Sequence, residues 1–225
     1  FGNNLKNELN KKLNEIEHKL NNIWPDGKDE RKLIETLWKL LLHGKDKEIK
    51  NKILNYSENN SMTIIKAKLN VFSRIDCPER IIISKKFFER WKNNKVVLDN
   101  WFFFMASIET DKKEQVIKDL FNSKLFDIKS PNTLRAILNG YVTQNSLFHS
   151  IDGNGYKYIA NKIIEFDKIN PIVISRFIKI FSRYKYYNNP YKKNMIKALN
   201  QIKENDLSLN TREVINSIIY EDFIN

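Results

Sequence analysis

A chain of 225 residues that is 41% apolar and 29% charged, with only six glycines and five prolines, is long enough to bury a sizeable core. That balance excludes a disordered chain and favours long regular elements over a turn-dense β fold. Its 39 Lys and Arg outnumber 27 Asp and Glu to leave +12, which makes nucleic acid and anionic surfaces candidate partners, but 31 of those cations are Lys and the excess is thin except over residues 161–210, where ten cations meet four carboxylates. Lys and Asn rise together, a pairing that coding bias produces without selection for a partner.

No apolar run approaches the roughly 18–20 residues of a membrane span, so no membrane partner is expected. The sequence starts at Phe1 with no charged-then-apolar leader pattern, and a piece of something longer, or a processed product, is expected. Cys77 is the single cysteine, which forbids an internal disulfide and fits a reducing, cytoplasmic compartment.

Apolar residues recur with helical period almost throughout. Leu5, Leu9, Leu13, Ile16, Leu20 and Ile23 step by three and four along a first helix that ends before Trp24-Pro25. Asp26 or a neighbour can cap a second helix carrying Leu33, Ile34, Leu37, Trp38 and Leu41, and Gly44 suits its C-terminal stop. A third helix with Ile49, Ile53 and Leu54 closes at SENNS, Met62 to Phe72 marks a fourth, and a fifth runs from Cys77-Pro78 to about Asn93. The sixth carries Val97, Trp101, Phe104, Met105 and Ile108 on one face, with Val96, Leu98, Phe102 and Phe103 spreading apolar character most of the way round. Such a helix is expected to be buried on nearly all sides, with Trp91 and Trp101 on consecutive helices that turn at Asn93-Asn94 and pack face to face.

A short helix around Val116 to Phe121 follows, then one opened by Ser130-Pro131, a loop HSIDGNGY, and a helix from about Tyr156 to Lys168. Asn170-Pro171 repeats the cap-plus-proline start. The stretch FIKIFSRYKYYNNPYKK reads as an amphipathic helix end and a polar loop, although its interleaved tyrosines and cations could also stack and neutralise a nucleic-acid strand. Two last helices span roughly Tyr191 to Asn205 and Thr211 to Phe223. No stretch alternates long enough for a strand. The expected fold is therefore all-α, a superhelical stack of about eleven antiparallel helices of the armadillo/HEAT-like α-solenoid kind, in a single domain over residues 1–225.

Signs of chemistry are few. His18, His43 and His149 lie in no metal-ligand spacing, and there is no phosphate loop or nucleophile elbow. His149 reads as a loop histidine, and Asp152-Gly153-Asn154-Gly155 as a turn with too few carboxylates for calcium. Arg135 follows Pro131 by four residues and Arg176 follows Pro171 by five, placing each just past a helix's first turn, where a cation gains nothing from the helix dipole. Arg is the scarcer cation here, and its planar fork suits fixed recognition of carboxylates and carbonyls.

The ordered set RWKNNKVVLDNWF, SPNTLR, FHSIDGNGY and INPIVISRF with RYKYY after it, together with NNSMT at Asn59 to Thr63, resembles the C-terminal domain of bacterial-type aminopeptidase N, a zinc metallo-exopeptidase. The likeness runs from about Asp29 onward. It implies a superhelical domain that covers a catalytic domain of the same polypeptide and closes a chamber for peptide substrates. The family's zinc site lies upstream, so the resemblance implies no catalytic residue, metal ligand or cofactor in this chain, and zinc only in the parent enzyme. It carries over Arg135 and Arg176 as substrate-binding residues that meet peptide carbonyls or the C-terminal carboxylate. The sequence departs from the family at Thr133, where the family has a second cation. A basic helical-repeat module for nucleic acid and a protein-interaction scaffold remain the alternatives.

Overall fold

The computed structural model describes residues 5–43, 48–58, 61–143 and 145–220. Gly44, Asn59, Asn60 and Phe223, named above, lie outside the described residues. Helices account for most of the described residues, and no strand occurs among them.

The chain clusters into two compact units. The first comprises residues 1–104 and 108–111, and the second residues 105–107 and 112–225. In the first, α1 (Lys6–Ile23), α2 (Lys28–His43), α3 (Ile49–Asn55), α4 (Met62–Phe72) and α5 (Pro78–Trp91) follow in order, and α6 spans Lys95–Ser107. The stripe of α1 buries Leu13, Ile16 and Leu20, and α2 buries Ile34, Leu37, Trp38, Leu41 and Leu42, as helical spacing dictates. The turn into α2 is closed by Arg31, whose Nη1 donates to the carbonyls of Pro25 (3.0 Å) and Asp26 (2.7 Å). Pro78 opens α5 in the first turn, where its missing N–H costs nothing. Asn94 caps α6 by accepting from the Val97 amide at 3.2 Å.

The surroundings of α6 differ from the expected all-round burial. Leu98, Phe102 and Phe104 are buried, but Val96 is 75% exposed. Trp101 packs at a tilt against Phe88 with centroids 5.0 Å apart and donates from Nε1 to Ser84 Oγ at 3.1 Å, so the two helices meet through Phe88 rather than through Trp91. Trp91 instead lies under the Arg90 guanidinium, 5.2 Å from the ring centre. Consecutive apolar residues therefore did not identify which side faced the core, because a ring as large as Trp101 is satisfied by burying one face.

The second unit holds α7 (Lys113–Phe121), α8 (Pro131–Thr143), α9 (Asn145–Phe148), α10 (Asn154–Asp167), α11 (Pro171–Phe177), a 3-10 helix (Ile178–Tyr186), α12 (Tyr191–Lys203) and α13 (Leu209–Tyr220). Within each unit the substantial contacts join elements that are neighbours or near neighbours in sequence: α1 with α2, α2 with α4, α10 with α12, α11 with α13. That pattern is how stacked helix pairs bury their stripes.

Two features differ from the sequence reading. The loop HSIDGNGY is preceded by the short α9 and cut short by α10, which already begins at Asn154, and the FIKIFSRYKYY stretch continues α11 as a nine-residue 3-10 helix. Its buried residues are Ile178, Phe181 and Tyr184. They recur every third residue, so threefold winding puts all three on one face.

Charged groups inside the second unit are satisfied. Lys113, 1% exposed, donates to the Tyr141 carbonyl at 3.0 Å. Asp167, also 1% exposed, accepts from the amide and hydroxyl of Ser208, tying the end of α10 to the start of α13.

At Gly155, α10 comes so close to α9 that an added Cβ would overlap the carbonyl oxygens of Leu147 and Phe148. Neither atom can swing away, since both are backbone. Gly155→Ala is therefore expected to lower stability by roughly 1–3 kcal/mol through overpacking, although alanine is the better helix former. Urea unfolding measures this, and an unchanged or raised midpoint would contradict the close approach.

Candidate functional site

The start of α8 is held by its own side chains. Ser130 Oγ lies 3.1 Å from Thr133 Oγ1 and 3.4 Å from the Thr133 amide, so Thr133 serves as a buried capping partner. Leu134, Ile137 and Leu138 face inward, leaving Arg135 on the exposed side. The start of α11 is tied to the approach to α8, because Asn170 Nδ2 donates to the Ile128 carbonyl at 2.6 Å. Arg176 is exposed on α11, one residue before the winding changes from α to 3-10. It sits near the end of a seven-residue helix, not early in a long one.

Arg176 lines a half-open cavity of about 430 Å³ with Lys179, Arg183, Ile180, Val142, Phe148, His149 and Tyr187. Arg135 is not in that lining. It precedes Val142 by seven residues, which on a helix is the same face about 10 Å away. The structure thus joins Arg176 to two further cations and leaves Arg135 two turns off along one wall. Among the described residues no carboxylate lines the cavity, and no ion pair or side-chain hydrogen bond engages Arg135, Arg176, Lys179 or Arg183.

The aromatic wall is rigid by construction. His149 stacks on Tyr187 with centroids 5.0 Å apart, and its Nδ1 lies 2.6 Å from the Tyr156 hydroxyl and its Nε2 3.3 Å from the Tyr187 hydroxyl. A neutral imidazole carries one proton, so it donates to one tyrosine and accepts from the other. Burial holds the imidazole below its ordinary value of 6.5, which favours that neutral form. Burial also pushes the Tyr156 phenol up to about 12, with Tyr187 and Tyr191 adding to the effect, so it stays protonated.

This arrangement can bind and orient. Three guanidinium and ammonium groups without counter-ions among the described residues, beside a flat aromatic wall, suit carboxylate or carbonyl oxygens. No group of three or more His, Cys, Asp or Glu gathers as a metal-binding set among the described residues, so the donor set does not fit zinc. Lys179, Arg183 and Tyr187 went unassigned in the sequence, where they sit inside the basic-aromatic stretch. The available signal was the spacing of Arg176, Lys179 and Arg183 at i, i+3 and i+7. His149, read as a loop residue, is half-buried and links Tyr156 to Tyr187 in the wall.

Comparison with known proteins follows the same lines. A family model described as a domain of unknown function (DUF3458_C) with ARM repeats matches residues 1–220. Aminopeptidase N of Escherichia coli strain K12 is 28% identical over 149 residues, covering 66% of this chain and 17% of that protein. Aminopeptidase N of Haemophilus influenzae is 26% identical over 149 residues, with the same coverage of 66% and 17%. The chain thus spans about a sixth of the length of these relatives. Among solved structures, Legionella pneumophila aminopeptidase A in complex with aspartic acid superimposes with a TM-score of 0.81 at 24% identity, over 97% of this chain and 27% of that one. This last likeness concerns the fold, an all-α solenoid.

The His149 environment has a consequence for stability. Its folded pKa lies below the unfolded value of 6.5, so the unfolded chain takes up the proton first on acidification. The contribution is complete above that value and is lost as pH falls toward the folded pKa. The urea midpoint of the native sequence should fall more between about pH 7.5 and pH 5.5 than that of His149→Gln. Equal falls would remove His149 as the cause.

Proposed function

The chain belongs to the DUF3458_C family of ARM-repeat domains, and from that membership we propose that it is the C-terminal helical domain of a zinc-dependent aminopeptidase that removes N-terminal residues from peptides. The observation that carries the proposal is the cavity with three counter-ion-free cations, Arg176, Lys179 and Arg183, set on the Phe148–His149–Tyr187 wall. The similarity to two aminopeptidase N proteins supports it, as does the order of the sequence motifs around Arg135 and Arg176.

In this reading the domain has no catalytic residue of its own. It walls a substrate chamber, and its partners are a catalytic domain of the same polypeptide and the peptides themselves. Zinc and bond cleavage belong to that catalytic domain. Arg176 takes the C-terminal carboxylate or a downstream carbonyl of the peptide, and Arg135, farther along α8, takes another carbonyl or the terminus of a longer peptide. A cytoplasmic setting is supported by Cys77, which is buried and whose thiol burial pushes up, away from reactivity. No helix among the described residues is long and apolar enough to cross a membrane.

Nucleic acid is the second reading, favoured by the same pairing of cations with tyrosines. It predicts an oligonucleotide affinity that falls steeply with salt, whereas the peptide reading predicts no oligonucleotide binding at moderate salt.

The decisive comparison uses the whole polypeptide and two substrates. A lost charge-assisted hydrogen bond of about 1.5–3 kcal/mol should lower kcat/KM of Arg176→Ala about tenfold or more for a pentapeptide. A one-residue chromogenic amide, which does not reach the cavity, should be turned over within about twofold of the native rate. Arg135→Ala should follow the same pattern with a smaller loss. Equal losses on both substrates would overturn the peptide-contact role.

A further inference from the structure

The first unit contains a separate cleft of about 230 Å³ between the end of α3, α4 and α5. Its floor is apolar: Ile65, Leu69, Ile83 and Phe87 are buried, and Trp91 and Leu54 close the sides. Ile82 stands at its edge 56% exposed, so the apolar floor continues out to the rim.

The polar part of the lining is unbalanced. Glu58 is the one carboxylate that lines the cleft among the described residues, and it is shared by Lys68 (3.4 Å), Lys86 (3.4 Å) and Arg90 (3.3 Å). All three distances are longer than a tight charge-assisted bond. Lys68 is held by carbonyls as well, donating to Leu54 (3.1 Å) and Tyr56 (2.7 Å). Burial lowers its pKa, while Glu58 pulls the other way and Lys86 adds to the lowering. Lys86 and Arg90 are one helical turn apart at the rim, 65% and 39% exposed.

We propose that this cleft binds a hydrophobic carboxylate, its aromatic or branched aliphatic body on the Ile65–Phe87–Trp91 floor and its carboxylate between Lys86 and Arg90. The volume suits one side chain of about the size of phenylalanine or tryptophan. A cationic ligand would face three like charges, and a neutral one would leave the excess untouched. The chemistry is shared by a free acid and by the terminal residue of a peptide. The site lies in the unit that holds neither Arg135 nor Arg176 and does not depend on the peptide-chamber reading.

Calorimetric titration of the full chain with 3-phenylpropionate, 3-phenylpropanamide and acetyl-Gly-Gly-Phe tests it, with the methyl resonances of Ile82 and Ile83 reporting the location. The acid should bind and shift both methyls, and the amide should bind at least tenfold more weakly. Lys86→Gln and Arg90→Gln, both at the rim, should each weaken the acid several-fold. Glu58→Gln, which removes the competing carboxylate, should tighten it. Tighter binding of the acetylated tripeptide than of the free acid identifies a chain terminus as the ligand, and binding of the free acid alone identifies a small acid. Equal affinity for acid and amide, absence of shifts at Ile82 and Ile83, or weakening by Glu58→Gln would each overturn the assignment.

Discussion

The close approach of α10 to α9 at Gly155 is the constraint on which the cavity rests. It brings the backbone of Leu147 and Phe148 against the first turn of α10, and therefore fixes where Phe148 and His149 emerge. Tyr156, the next residue on α10, is fully buried and needs a partner for its hydroxyl, because an unmade buried hydrogen bond costs about 1–3 kcal/mol. His149 is that partner, and its other nitrogen reaches Tyr187 just beyond the 3-10 helix. One missing side chain thus sets a wall that runs through three segments distant in sequence.

Charge is handled in two ways in this chain. Cations and carboxylates that are buried are matched: Lys68 by two carbonyls and Glu58, Lys113 by a carbonyl, Asp167 by Ser208. The cations lining the cavity of the second unit have no such match. Bringing like charges onto one ridge contributes nothing to folding, and the solvent-exposed ion pairs elsewhere are worth little each.

Helix limits were legible because the chain marks them chemically. Pro78, Pro131 and Pro171 each begin a helix, and the apolar stripes of α1 and α2 pointed to the residues that are buried. Three things were not legible. The 3-10 winding after Phe177 hides in a period of three that overlaps a period of 3.6 over so short a stretch. The partner of Trp101 depended on a small hydroxyl, Ser84, seventeen residues away. The cavity depended on which helix face meets which, and so nothing in the sequence showed that Lys179 and Arg183, which looked like ordinary surface charge, line one cavity with Arg176. The role of His149 could not be read from spacing, since its two partners lie seven and 38 residues along the chain.

A stack in which each helix packs on its near neighbours keeps its sites local. The cleft at Glu58 is built from α3, α4 and α5, and the cavity at Arg176 from α8, α9, α11 and the 3-10 helix. They share no lining residue and fall in different compact units. Substitutions at positions without shared partners add almost independently, so charge can be changed at Arg90 without disturbing the wall around His149, and at Arg176 without loosening Lys68. Within the second unit that independence ends. Arg176 lies next to the buried Phe177 and Ile178 at the change of winding, so a substitution that alters the backbone there moves Lys179 and Arg183 with it, whereas one that only shortens the side chain removes a single guanidinium and leaves the ridge in place.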